Sequence, residues 1–160
     1  SRATLVTGTY TTVHQQLWPH SMGILETLPW NETLFPLMKQ QKGYYTGLVG
    51  KWHAPSPREY MTQAFDLHRF YYGKHWMGQP PNRQHVTDMN REHALEFLKR
   101  RPRSAEHNPP FFLKVSFFAT HAIDGHYPSY EPMNTTRRQY YNDSCYIKPG
   151  KTATEEHWLQ

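Results

Sequence analysis

Cysteine is almost missing from this chain: Cys145 is the only one, which excludes an intrachain disulfide framework and leaves that thiol free or paired outside the segment. Long apolar runs are missing as well. No stretch approaches the roughly 20 residues a membrane-spanning helix requires, so no membrane span is expected. Blocks of a single charge are nearly absent too. The 18 Lys and Arg against 13 Asp and Glu give a net charge of +5 and favour an anionic partner. Yet these cations are scattered, apart from Lys99, Arg100, Arg101 and Arg103, which read as the solvated C-terminal end of a helix. With no recognisable nucleic-acid module beside them, nucleic acid is not the expected partner. Tyr, Phe, Trp, Pro and His are abundant instead, and aromatic residues make up 15% of the chain. That composition excludes a disordered chain, and 160 residues suffice for one domain with a core.

Periodicity places the elements. Ser1 to Gly8 reads as a short helix closed by its glycine. Thr9 to Trp30 is an irregular connection whose histidines, His14 and His20, are read as packed or exposed structural residues. A helix is predicted over Leu34 to Gln41, capped by Thr33, with Pro36 tolerated in its first turn and Gly43 ending it. Tyr44 to Trp52 follows as a strand. Val86 to Arg101 is the clearest helix, with Thr87 or Asp88 as cap, Ala94, Leu95 and Leu98 on one face, and Pro102 as terminator. Pro102 to Pro110 is a surface linker. Phe111 to Phe118 is a nearly continuous apolar strand of the kind covered by helices on both sides. Strand, helix and strand in alternation indicate an α/β fold with a mostly parallel sheet.

Chemistry concentrates in Gly43 to His53, GYYTGLVGKWH. The apolar run Thr46 to Val49 ends in Gly50-Lys51-Trp52-His53. In an extended segment Lys51 and His53 share one side, which suits gripping an oxyanion with a point charge beside a group that titrates near neutrality. The second apolar strand delivers Ala119-Thr120-His121 at its C-terminal end. Ligands of open α/β sheets bind beyond the carboxyl ends of strands, so His121 is expected on the same rim as Lys51 and His53. The aromatic run Phe70 to Trp76 is a candidate substrate-facing wall, or else a loop packed by its own rings.

The string GYYTGLVGKWH closely resembles the second signature of the sulfatase family, and SRATLVTG is similar to the latter part of its first signature, with Ser1-Arg2 and Thr7-Gly8 as the matching pairs. Ala64-Phe65-Asp66 is similar to a Gly-Phe-Asp of that family, with Ala in place of Gly. The strand Pro110-Phe111-Phe112-Leu113 followed by Ala119-Thr120-His121 resembles a third family feature, although Ile123 stands where Pro is usual. His121 is taken as the counterpart in preference to His126. The resemblance runs from Ser1 to about Pro128, and residues 129–160 are left unassigned. It implies that residues 1–160 are an internal fragment of a sulfatase catalytic domain, an incomplete α/β sheet of the alkaline-phosphatase-like kind. The opening Ser1-Arg2-Ala3 and the closing Trp158-Leu159-Gln160 fit that expectation.

The resemblance further implies a sulfuric ester hydrolase acting on a sulfated small molecule or glycan. Its nucleophile would be a formylglycine three positions before Ser1, made by the formylglycine-generating enzyme. A Ca2+ ion would be held by ligands outside this chain. Arg2 would orient the nucleophile, Lys51 would bind the sulfate, His53 would act as base, and His121 would face the leaving-group oxygen. Two other readings stand beside it: a phosphate or phosphonate hydrolase of the same superfamily, and a catalytically dead module binding acidic polysaccharide. Asn31, Asn134 and Asn142 each match the N-glycosylation pattern, so the protein is expected to be secreted or lysosomal.

Overall fold

The structure is a computed structural model that describes residues 2–15, 29–52, 54, 58–71, 73–119, 121 and 133. Helix α1, Arg2–Thr7, is closed by Gly8, whose N–H donates to the Thr4 carbonyl at 2.9 Å. A short helix α2, Thr11–His14, occupies part of the connection expected to be irregular. It forms because His14 is fully buried and bonds to the Thr4 hydroxyl at 3.1 Å, folding α2 back on α1.

After a 3-10 turn at Trp30–Glu32 comes helix α3, Leu34–Pro36, which widens into a π-helical turn over Leu37–Gln41. Thr33 occupies the predicted capping position with extended backbone, but its side chain does not cap. Its hydroxyl turns back to donate to the Trp30 carbonyl at 2.7 Å and is hydrogen-bonded with the Tyr60 hydroxyl at 3.1 Å. A buried phenol competes for the hydroxyl and wins.

The central strand β1 spans Tyr45–Gly50 and is followed by helix α4, Arg58–Ala64, and strand β2, Leu67–Arg69. A small antiparallel pair, β3 at Trp76–Met77 and β4 at Gln84–His85, leads into the long helix α5, Val86–Arg100. Strand β5, Phe111–Ser116, completes a parallel sheet of order β2-β1-β5. Its register sets Tyr45 opposite Phe111 and Gly50 opposite Ser116.

Alternation along the strands sends side chains to two cores. On one face Leu48 and Phe112 meet Ala3, Val6, Phe35, Trp52, Tyr60 and Phe65 from the α1, α3 and α4 side. On the other, Val49, Leu67, Leu113 and Val115 meet Phe97 and Leu98 of α5. Helices therefore cover both faces, as the apolar strands demanded.

Two expectations for α5 are corrected. His85, not Thr87 or Asp88, is its N-cap, with the ring Nδ1 accepting the Thr87 N–H at 3.2 Å. Its buried side carries Val86, Asn90 and Phe97, while Leu95 is 46% exposed on the opposite side. Asp66, the last residue of the Ala-Phe-Asp string, ties the front of the sheet together. One carboxylate oxygen accepts the Thr46 N–H at 2.8 Å and the Thr46 hydroxyl at 3.2 Å, while the other pairs with Lys39 at 2.9 Å.

Candidate functional site

β1 stops at Gly50, and this stop shapes everything beyond it. The Gly50 backbone has φ +91, and a Cβ there would lie 2.0 Å from the Ser116 carbonyl oxygen and 2.9 Å from Asn90 Oδ1. Only glycine accepts both that dihedral and that approach. The chain turns there, and the Lys51 N–H donates to the Ser116 carbonyl at 2.8 Å. The strand expected to run on through Trp52 therefore ends earlier, so Lys51 is presented by a turn beyond the strand and not by strand alternation. His53 lies outside the described residues.

Lys51 is 6% exposed, with its ammonium 5.0 Å from the centre of the Phe118 ring. The opposite parity partner, Trp52, is buried in the aromatic core against Phe35, Tyr60 and Phe65. Phe118 also stacks with the His121 imidazole, centroids 5.2 Å apart and planes at 21°. Lys51 and His121 thus share one aromatic neighbour and are no farther apart than those two distances laid end to end. His121 is exposed at the end of the turn following β5, and its N–H donates to the Phe118 carbonyl at 2.9 Å.

Arg2 begins α1 and is half-buried. Burial first, and the Arg2 guanidinium second, hold the Lys51 pKa below its usual 10.5. The same two causes in the same order lower Lys114. Lys114 went unnoticed in the sequence, where it looks like an interruption of FFLKVSFF. Its parity with Phe112 and Ser116 places it on the α1 side of the sheet, and its ammonium donates to the Ser116 hydroxyl. Among the described residues neither lysine is paired with a carboxylate. Arg2, Lys51 and Lys114 therefore bring three basic side chains to a partly dehydrated rim. Such a rim is suited to an anion, which would relieve both repulsion and desolvation.

The described rings of the aromatic run have separate neighbours. Phe70 stacks on His68, Tyr71 bonds to His93 Nδ1 at 2.8 Å, and Trp76 packs against His85 and Arg83. Tyr72 lies outside the described residues, as do His126, Asn134, Asn142 and Cys145. Asn31 is exposed in the 3-10 turn. Among the described residues no three His, Cys, Asp or Glu side chains come together as a metal would require.

The sulfatase family profile matches residues 1–148. An N-acetylglucosamine-6-O-sulfatase of Bacteroides thetaiotaomicron is 28% identical over 136 residues, covering 76% of this chain and 22% of that protein. A solved protein described in complex with its substrate, D-glucosamine-2-N,6-O-disulfate, superposes with a TM-score of 0.53 at 24% identity, over 75% of this chain and 24% of its own. That likeness concerns the fold: parallel strands flanked by helices. This chain spans less than a quarter of the length of either. From the profile match, which runs over most of its length, the chain belongs to the sulfatase family.

Proposed function

We propose that the protein containing this chain hydrolyses sulfate esters, and that this segment supplies the cationic rim on which the sulfate group is held. The observation carrying this reading is that Lys51 and His121 share the Phe118 ring while Arg2 acts on both Lys51 and Lys114, without a carboxylate partner for either lysine among the described residues. Sulfate-ester cleavage breaks an S–O bond while negative charge gathers on the leaving oxygen and the equatorial oxygens. Preorganised cations facing those oxygens are the main source of rate. Lys51 binds the sulfate, Arg2 orients the nucleophile, and His121 hydrogen-bonds or protonates the departing oxygen. His53 takes up a proton as base.

The family resemblance assigns the nucleophile to a formylglycine upstream of Ser1 and a polarising charge to Ca2+. Ca2+ ligands are expected outside this chain, and the steps assigned here involve only its own groups. A sulfated amino sugar is the favoured substrate class. Support comes from the named activity of the Bacteroides relative and from the glucosamine disulfate in the structural neighbour. Passage through the secretory pathway is part of the proposal, with glycosylation at the exposed Asn31.

The test is sulfate release by the full-length protein from D-glucosamine 6-sulfate and from 4-nitrophenyl sulfate, with 4-nitrophenyl phosphate alongside. Turnover of the sulfates, lost on Lys51→Ala, is the expected result. Preference for the phosphate ester would replace this reading with a phosphohydrolase, and binding of sulfated glycan without turnover would replace it with a binding module.

A further inference from the structure

We propose that His75 is a positioning residue for His121, acting through the hydrogen bond between its ring Nε2 and the His121 main-chain carbonyl. The two atoms are 2.9 Å apart. A carbonyl oxygen only accepts, so Nε2 carries the hydrogen. The main-chain N–H of His121 is already committed to the Phe118 carbonyl at 2.9 Å. Both backbone polar groups of His121 are therefore tied, one to the strand exit and one to an imidazole arriving from a distant loop.

That imidazole is itself held firmly. His75 is fully buried, and its own carbonyl accepts the N–H of Val86, the first residue of α5, at 2.8 Å. Its ring packs against His85, with centroids 6.2 Å apart and planes at 7°, and against Phe118, with centroids 5.2 Å apart. Phe118 is the same ring that carries Lys51 and His121. His75 thus connects the start of α5 to the turn that presents His121. An exposed side chain on a short turn gains its fixed place from such a support.

This inference rests on the role given to His121 above, and the experiment separates the two. In the full-length protein, with 4-nitrophenyl sulfate as substrate, kcat and KM are measured for His75→Phe, His75→Gln, His121→Ala and the double variant His75→Phe/His121→Ala. Misplacement of a reacting group costs about ten- to a hundredfold. His75→Phe is expected to lower kcat by that factor with KM nearly unchanged, and His75→Gln, whose amide N–H can reach the same carbonyl, is expected to restore most of it. In the His121→Ala background, His75→Phe should cost nothing more. An equal loss in that background, or no loss in either, would overturn the proposal.

Full activity of His121→Ala would instead remove the role of His121. The His75 bond would then be judged by imidazole 15N spectra of the unsubstituted full-length protein. A hydrogen on Nε2 that exchanges slowly with solvent is expected there. Its absence would overturn the contact itself, including the case in which His75→Phe does not fold.

Discussion

Gly50 governs the rim residue by residue, because the direction of the chain after β1 depends on a backbone state that other residues resist. Gly50→Ala is expected to cost about 1–3 kcal/mol from the backbone alone, and more once the Ser116 carbonyl must retreat from the new methyl. Urea unfolding of the full-length protein measures this. Lys51 and Lys114 give a pH signature. Their folded-state pKa values are lowered by burial and by Arg2, so the native state holds these protons more weakly than the unfolded chain does. Stability therefore rises with pH between the depressed value and 10.5. Anion binding runs the opposite way: affinity for inorganic sulfate is greatest while both ammonium groups are charged and falls as pH climbs through their depressed values. Calorimetric titration of the full-length protein at a series of pH values shows this, and an affinity that stays flat up to pH 10.5 would refute it.

At the scale of elements, the sheet depends on two attachments. Gly47 lets α5 approach β1 so closely that a Cβ there would sit 2.5 Å from the Phe97 ring. Phe97 fills that space and is completely buried, so Phe97→Ala should cost about 3–5 kcal/mol in the same unfolding measurement. The apolar runs of β1 and β5 and the span of α5 were legible because burial on both faces leaves few polar letters in a strand, and because Pro102 stops a helix by steric necessity. On α5, Leu98 packs into the core as expected and Leu95 does not. Leu95 looks like a core residue, while the helix turns Asn90 inward instead, beside Gly50. The caps differ from expectation for a related reason: the Thr33 hydroxyl is engaged by Trp30 and Tyr60, and the His85 ring reaches the Thr87 N–H, and sequence alone does not say which partner will be near.

At the scale of the whole molecule, β5 is an edge of the three-stranded sheet among the described residues, and Phe111 and Phe117 are exposed at its ends. The chain also spans less than a quarter of its relatives. Residues 1–160 alone are expected to release no sulfate from 4-nitrophenyl sulfate under conditions in which the full-length protein does; turnover by the isolated segment would contradict this. By itself the sequence determined the α/β alternation, the family, and the candidacy of Arg2, Lys51 and His121, since periodicity and short motifs are local properties of a chain. Only the tertiary structure decided that Lys51 leaves the sheet on a glycine turn, that Lys114 joins it from a neighbouring strand, and that His75 reaches across to the His121 backbone. Each of these depends on which distant segments are brought side by side, and spacing along a chain does not encode distance in space.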